Sequence, residues 1–192
     1  FDSARAYADS ERYYGTVWPR RPEERSRIFQ ASKSASRDRK TALWELDQTL
    51  TRIGIETLDL WQIHDVRTEA DLEAVAGPGG ALEAFMEARE SGKVLRIGVT
   101  GHHDPDVLSR AVSEWPVDAV MLPVNTAEAV LGGCLDDTLP RARDKGLAVI
   151  GMKVLGGSHY VRPESGISAG RLVRFALAQG ITVAIVGCST PG

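Results

Sequence analysis

The chain has 192 residues, of which 43% are hydrophobic, and a formal net charge of -3 at pH 7. A chain of this length and composition can bury one sizeable core, so we predict a single domain. The small negative charge, spread without a basic block, argues against a nucleic-acid partner. No apolar run reaches the roughly 18 to 20 residues needed to span a bilayer, which argues against a membrane partner.

Short aliphatic runs alternate with stretches of helical periodicity, a pattern typical of βα units around a parallel sheet. The predicted strands are residues 27–33, 58–64, 95–100, 119–125, 147–153 and 181–187. Five helices are predicted. The first runs from an N-cap at Asp38 to residue 53, the second covers 81–91, and the third begins at a cap near Asp104. The fourth ends at Gly146, and the fifth covers 169–179. Between the second strand and the second helix we predict a polar loop.

The strand ends define the architecture. Counting a strand that ends at Asp2, they are Asp2, Lys33, His64, Gly101, Asn125, Lys153 and Gly187. Successive ends lie about thirty residues apart, one βα unit each. An open doubly wound sheet could share this period, but polar residues at so many consecutive strand tips suit the mouth of a barrel better.

A closed barrel of this kind needs eight strands, and seven strand ends are present. We therefore predict an α/β fold, a (β/α)8 TIM barrel whose strands 2 to 8 lie in this chain. The first βα unit and the last helix would be missing, and residues 1–192 would form one incomplete barrel domain. Without the missing elements, the two edge strands of the sheet would be left unpaired and apolar, which native proteins usually avoid.

Four ionisable residues fall at or just after the first three strand ends: Asp2, Tyr7, Lys33 and His64. A carbonyl that accepts hydride needs a proton donor, and a phenol with a pKa of about 10 is a reluctant one. A lysine cation nearby should lower that pKa, and an aspartate should keep the lysine charged. The histidine could donate a hydrogen bond to the substrate oxygen. No side chain supplies hydride, so a nicotinamide cofactor must do so.

Each of these residues also has an ordinary structural explanation, as loop packing, a solvated charge or a hydrogen-bonded histidine. Three sequence motifs support the catalytic interpretation. Residues 1–11 resemble the aldo-keto reductase signature, in which aspartate and tyrosine five positions apart are followed by Ser-Glu. Residues 31–33 resemble the lysine strand of that family, and residues 59–64 resemble its histidine strand. The similarity continues through 98–101 and 152–157 to 186–191.

This resemblance implies a cytoplasmic oxidoreductase that transfers hydride between NAD(P)H and the carbonyl of an aldehyde or ketone. It implies a catalytic tetrad of Asp2, Tyr7, Lys33 and His64. Tyr7 would be the general acid in reduction and the general base in oxidation. The expected partner is a small-molecule aldehyde or ketone, and the oligomeric state is left open.

The cofactor-binding positions implied by the resemblance depart from the family pattern. Thr100 and Gly101 stand where the family usually has Ser-Asn to hold the nicotinamide amide. Met121 aligns with a common glutamine, and Met152 aligns with an aromatic residue that often stacks on the nicotinamide. Methionine is polarisable but not planar. Cofactor binding is therefore expected to depend more on backbone contacts.

Further cofactor contacts follow from the same resemblance. Lys153, Leu155 and Gly156 would lie beside the pyrophosphate, and Lys153 offers it a cation, although a lysine at a strand end is often simply solvated. Gly187 and Thr190 would begin the loop around the adenosine phosphate. The residues that select the cofactor lie beyond this sequence, so NADP is the family expectation and NAD remains open.

Histidines and cysteines are sparse, and we predict no metal site. His102 and His103 are adjacent, which rarely directs both rings at one ion, and no carboxylate is spaced to help them. We interpret them as loop residues. Cys134 and Cys188 lie far apart without metal-ligand spacing, which fits a reducing cytoplasm.

Two other classes of function stay open. A non-catalytic barrel could bind nicotinamide as a sensor or partner subunit, which the substitutions at Gly101, Met121 and Met152 would explain. A barrel aldolase could use Lys33 or Lys153 to form a Schiff base, but Asp2 and Tyr7 would then have no purpose.

Overall fold

The computed structural model describes residues 1–187 and shows a parallel sheet covered by helices. The strands are β1 (Ala31–Ser34), β2 (Leu60–Ile63), β3 (Ile97–Thr100), β4 (Ala119–Pro123), β5 (Ala148–Met152) and β6 (Val183–Ala184). They pair in chain order and every pair is parallel. Asp2 makes a further parallel bridge to Ala31, which adds a seventh position beside β1. The predicted α/β class with parallel strands is confirmed, as a curled half-barrel.

The helices follow the strands as βα units require. They are α1 (Ser10–Val17), α2 (Pro22–Arg25), α3 (Arg39–Ile53), α4 (Glu69–Ala76), α5 (Ala81–Glu90), α6 (Pro105–Glu114), α7 (Thr126–Leu131), α8 (Thr138–Asp144) and α9 (Ala169–Ala178). The predicted caps hold: the Asp38 side chain accepts a hydrogen bond from Thr41 N, and Asp104 accepts from Asp106 N and Val107 N. Such caps satisfy N–H groups that the first helical turn leaves unpaired.

The predicted helices differ from the observed ones in two places. We predicted a loop where α4 lies, and a capping box made by Thr68 and Asp71 starts this helix. We predicted one helix ending at Gly146, and two are present. The chain breaks between α7 and α8 at Gly132 and Gly133, whose φ angles of 80° and 152° are incompatible with a continuing helix.

The strands are shorter than predicted because ladder pairing covers only part of each aliphatic run. Residues 27–30 precede β1. The Gln30 N–H donates to the Asp59 carboxylate at 2.8 Å, and the Gln30 carbonyl oxygen accepts from Leu60 N at 3.3 Å. The sixth strand shrinks to two residues, Val183–Ala184.

Alternation of side chains along each strand builds two separate apolar layers. Trp61, Ile63 and Val99 face the helices, where they pack with Leu46 and Phe85 in the main core. The other face carries a smaller cluster, made of Ala31, Leu60, Ala119, Met121 and Ile150. The carboxyl ends of all strands meet at one rim of the curled sheet, which is where barrel enzymes place their chemistry.

Among residues 1–187, no helix combines the length and apolar character that crossing a membrane demands.

The main core should be sensitive to loss of its aromatic stack. Phe85 is fully buried and lies parallel to Trp61 with ring centroids 3.6 Å apart. We expect Phe85→Ala to lower the free energy of unfolding by about 3–5 kcal/mol, because it leaves a cavity. Urea denaturation followed by circular dichroism measures this. Leu131→Ala is the control, since Leu131 is 83% exposed. Equal losses in both variants would contradict this core assignment.

Candidate active site

A buried ion pair joins the first two strand ends. Lys33 lies in β1 and is 1% exposed, and its Nζ donates to Asp2 Oδ2 at 2.6 Å and to the carbonyl oxygen of Ser3 at 2.7 Å. The parallel bridge from Asp2 to Ala31 sets this register, because it places the carboxylate beside the end of β1. Lys33 is therefore fixed by two acceptors on the segment that also carries Tyr7.

Tyr7 lies over this pair and next to the end of β2. Its ring centroid is 4.8 Å from Lys33 Nζ and 5.6 Å from the His64 ring, which it meets edge to face. Tyr7 is 45% exposed, so its side chain is accessible from the rim. The structure thus brings together Asp2, Tyr7, Lys33 and His64, the four residues singled out from the sequence.

Burial dominates the electrostatics of the ion pair. It lowers the pKa of Lys33, and the neighbouring Asp2 opposes that shift. It raises the pKa of Asp2, and Lys33 opposes that shift in turn. Each charge is held in a poorly solvated place mainly by the other, so removing either one leaves its partner uncompensated.

The expected lowering of the Tyr7 pKa is not found. Burial raises the pKa of the Tyr7 phenol, and the negative charges of Asp2 and Asp65 raise it further. The physical reason lies in the placement of the cation: Lys33 Nζ is over the ring face and already paired with Asp2. Tyr7 accordingly keeps its proton at neutral pH.

His64 follows β2 directly, and its backbone is held on both sides. Its N–H donates to Ser34 O at 2.8 Å, and its carbonyl oxygen accepts from Arg37 Nη1 at 2.9 Å. Burial, together with the charge of Lys33, lowers the pKa of His64 to about 4. The imidazole is therefore neutral at pH 7 and retains one ring N–H as a donor.

Arg37 is a functional residue that the sequence did not reveal. Its guanidinium donates to the carbonyl oxygens of His64 and Asp65 at 2.9 and 2.8 Å and to Asp71 Oδ1 at 2.8 Å. It thereby fixes the turn that follows β2. An arginine in a polar stretch of sequence carries no pattern that would single it out.

The predicted cofactor residues at β3 and β4 differ in their burial and contacts. Thr100 is buried, and its Oγ1 accepts from Asp65 N at 2.8 Å. Gly101 has no room for a side chain, because a Cβ there would lie 3.0 Å from Val66 O and 3.2 Å from Leu108 Cδ1. Met121 is 2% exposed, belongs to the smaller apolar cluster and pairs with Thr100 in the sheet.

The residues after β5 border an open cleft of about 520 Å³. Lys153 and Gly156 line it, together with Asn125, His102 and Tyr160. Lys153 and Gly156 have φ angles of 55° and 54°, and a Cβ on Gly156 would meet the Tyr160 ring at 2.5 Å. Gly156 therefore lets the backbone approach this ring.

The remaining predicted contacts are scattered. Met152 is partly buried against the smaller apolar cluster, and Leu155 packs on the main core. Gly187 is exposed at the end of the described residues. Thr190 lies outside the described residues.

A second polar cluster lies at the rim between the ends of β2 and β3. Asp65 Oδ1 is 3.2 Å from His102 Nε2 and 3.5 Å from His103 Nε2, and Asp65 Oδ2 accepts from Arg67. Lys153 Nζ lies 2.9 Å from His102 Nδ1. Our interpretation of His102 and His103 assumed that no carboxylate was near. That assumption is wrong, because parallel pairing of β2 with β3 brings Asp65 beside them.

Comparison with known proteins extends this description. The family model described as the Aldo/keto reductase family matches residues 1–170. A 6-dehydroglucose reductase of Novosphingobium aromaticivorans is 24% identical over 204 residues, covering 98% of this chain and 63% of that protein. An NADP(+) aldo-keto reductase, yakc, of Schizosaccharomyces pombe is 31% identical over 77 residues, covering 40% of this chain and 21% of that protein. The chain thus spans less than two thirds of these curated relatives.

The fold is shared with solved structures. The holo form of aldo-keto reductase AKR11C1 from Bacillus halodurans superposes with a TM-score of 0.73 at 17% identity, covering 99% of this chain and 71% of that one. At this identity the similarity establishes the fold alone.

Packing around Gly101 gives a stability test. We expect Gly101→Ala to lower the free energy of unfolding by about 1–3 kcal/mol, because the added methyl overpacks the contacts with Val66 and Leu108. Urea titration measures the change. Gly170→Ala in α9 is the matched control, since the nearest atom to its Cβ is the flexible end of Arg174 at 3.7 Å. A similar loss at both glycines would contradict the crowding at Gly101.

The pKa of His64 gives a pH test. Between its ordinary value of 6.5 and its folded value of about 4, the unfolded chain binds a proton that folded His64 does not. The folded state therefore has its full free energy of unfolding, as far as His64 is concerned, above pH 6.5, and it loses part of that free energy as the pH falls toward 4. We expect the melting temperature of His64→Gln to fall less between pH 6.5 and 4 than that of the wild type. Parallel curves for the two proteins would count against a depressed pKa.

Proposed function

The chain belongs to the aldo/keto reductase family, and on that premise we propose that the protein transfers hydride between NAD(P)H and the carbonyl group of an aldehyde or ketone. The observation that carries this proposal is the cluster at the strand ends, in which a buried Lys33 and Asp2 pair lies beneath Tyr7 and beside His64. These four side chains can bind, protonate and orient a carbonyl oxygen.

We propose that residues 1–192 form one domain and that the protein as a whole is a closed eight-stranded barrel. The concave face of the curled sheet supports this. It carries Leu60, Met121 and Ile150, and it opens into an apolar cleft of about 380 Å³ that reaches from Phe1 to Val183. Closure of the sheet is the arrangement that would cover this surface.

Tyr7 is assigned as the general acid in reduction. Its raised pKa keeps a proton on Oη at neutral pH, and its exposure makes that proton accessible to a substrate at the rim. The Lys33 ammonium lies 4.8 Å from the centre of the Tyr7 ring, and this contact positions the phenol for the transfer. Asp2 holds that ammonium in place. In oxidation Tyr7 takes the proton back.

His64 is assigned to orient the substrate. A neutral imidazole can donate one ring N–H to the carbonyl oxygen without competing as an acid. Its backbone contacts with Ser34 and Arg37 fix the ring beside Tyr7. The two donors can therefore converge on one oxygen atom.

The residues around the rim fit a nicotinamide cofactor. The cleft bordered by Lys153 and Gly156 offers a cation and a close backbone approach, which suit a pyrophosphate. Thr100, Gly101, Met121, Met152, Leu155, Gly187 and Thr190 complete the proposed set. Met121 pairs with Thr100 in the register of β3 with β4 and lies on the concave face of the sheet.

A bound nicotinamide would supply the hydride. We propose NADP as the cofactor, with support from the relative whose name specifies NADP(+). Small aldehydes or ketones are the proposed substrates, and the relative named as a 6-dehydroglucose reductase makes oxidised sugars a first class to assay. A reducing cytoplasm fits the free, buried Cys134 thiol.

The contacts of Lys33 argue against a Schiff-base aldolase that uses this residue. Lys33 is committed to Asp2 and Ser3, and Lys153 contacts His102. Lys33 is therefore not free to attack a carbonyl carbon in this arrangement, and Lys153 is an exposed side chain at an open cleft.

Removal of one hydroxyl group tests the assignment of Tyr7. We expect Tyr7→Phe to reduce kcat for aldehyde reduction by about 10²- to 10⁴-fold, since proton donation is lost while the ring contacts remain. NADPH affinity, measured by fluorescence, should stay within a factor of two. Tyr13→Phe is the matched control, because Tyr13 is 69% exposed on α1.

Three outcomes would contradict the proposal. Unchanged turnover in Tyr7→Phe would remove the general acid. NADPH binding without turnover of any aldehyde by the wild-type protein would indicate a non-catalytic nicotinamide-binding barrel. Covalent trapping of a ketone by borohydride at a lysine would indicate an aldolase.

A further inference from the structure

Asp65, His102 and His103 form a rim cluster that the proposed hydride transfer does not use. Asp65 follows β2, and the two histidines follow β3. One ligand atom from each residue lies within 4.8 Å of the other two. Asp65 Oδ1 is buried and, within the described part of the chain, accepts no hydrogen bond. The cluster thus aims an unsatisfied carboxylate oxygen at two imidazoles.

The spacing of these atoms fits a metal ion. Zinc binds histidine nitrogen and carboxylate oxygen at about 2.0–2.2 Å, so tetrahedral ligand atoms lie about 3.4 Å apart. The observed separations from Asp65 Oδ1 are 3.2 Å to His102 Nε2 and 3.5 Å to His103 Nε2. Both are close to the tetrahedral value.

The carboxylate is held in this orientation by its surroundings. Arg67 binds Asp65 Oδ2 through Nε at 2.8 Å and Nη2 at 2.5 Å, which leaves Oδ1 for the histidines. Asp65 N donates to Thr100 Oγ1, and Asp65 O accepts from Arg37. These contacts maintain a φ of 58°, a conformation that side chains rarely adopt and that often marks functional sites.

We propose that Asp65, His102 and His103 bind one divalent transition-metal ion, with Zn²⁺ as the best match to two imidazoles and one carboxylate. Three protein ligands leave one tetrahedral position open, as in zinc sites that bind an additional small ligand.

Lys153 has a defined relation to this site. When His102 binds a metal through Nε2, its Nδ1 carries the proton, and the ammonium of Lys153 cannot accept it. Lys153 Nζ lies 2.9 Å from that nitrogen, so the exposed lysine must turn away when the ion binds. Its charge, like that of Arg67, opposes the ion, while Asp65 attracts it.

Metal titration of the full chain tests the proposal. After treatment with chelator and buffer exchange, isothermal calorimetry with Zn²⁺ should show one equivalent bound. We expect Asp65→Asn and His103→Ala to weaken Zn²⁺ binding by at least about tenfold, since each removes a direct ligand. His159→Ala is the matched control, because His159 is exposed and outside the cluster. Unchanged affinity in His103→Ala, or an equal loss in His159→Ala, would overturn the site.

Two further measurements guard against misfolding and against a site elsewhere. Lys153→Gln should bind Zn²⁺ more tightly, because its amide oxygen can accept a hydrogen bond from the His102 Nδ1–H group, where the lysine ammonium cannot. Binding no tighter than that of the wild type would contradict coordination through Nε2. Co²⁺ should give visible ligand-field bands without a sulfur charge-transfer band, and a sulfur band would place the ion on a cysteine. Because these readouts need no turnover, they succeed or fail independently of the reductase proposal.

Discussion

The ion pair between Lys33 and Asp2 is the contact on which the arrangement at the rim depends. Both charges are removed from water, and their mutual attraction and the Ser3 carbonyl offset that loss of solvation. The pair also ties the segment before β1 to the sheet, and the turn that carries Tyr7 begins directly after it. Without the pair, Tyr7 would lose the support that places its ring between Lys33 and His64.

Competition between burial and charge decides the protonation states around this pair. Desolvation lowers the pKa of His64, and the charge of Lys33 acts in the same direction. For Tyr7, desolvation and the carboxylates of Asp2 and Asp65 all favour the protonated form. A neutral histidine and a protonated phenol follow, and these are the two donors that the proposed reduction requires.

The sequence predicts the order of the strands and the proximity of the four residues at their ends, because the spacing of the βα units governs both. Alternation of aliphatic runs with helical stretches specifies a parallel sheet, and equal spacing places Asp2, Lys33 and His64 at one rim. Contacts between distant segments are invisible to such rules. Arg37 is recognisable only when the turn at His64 is folded, and Asp65 becomes a partner of His102 only through the register of β2 with β3. The crowding at Gly101 and the burial of Met121 likewise depend on tertiary packing.

Transfer of an isotopically labelled hydride tests the central claim most directly. The protein would be mixed in a single turnover with NADPH carrying deuterium at C4 of the nicotinamide and with a panel of aldehydes and oxidised sugars. We expect deuterium at the carbinol carbon of the product, detected by mass spectrometry, and little product from Lys33→Met, because Tyr7 loses the contact that positions its ring. Product formed at the wild-type rate by Lys33→Met, or no deuterium in any product, would contradict that claim.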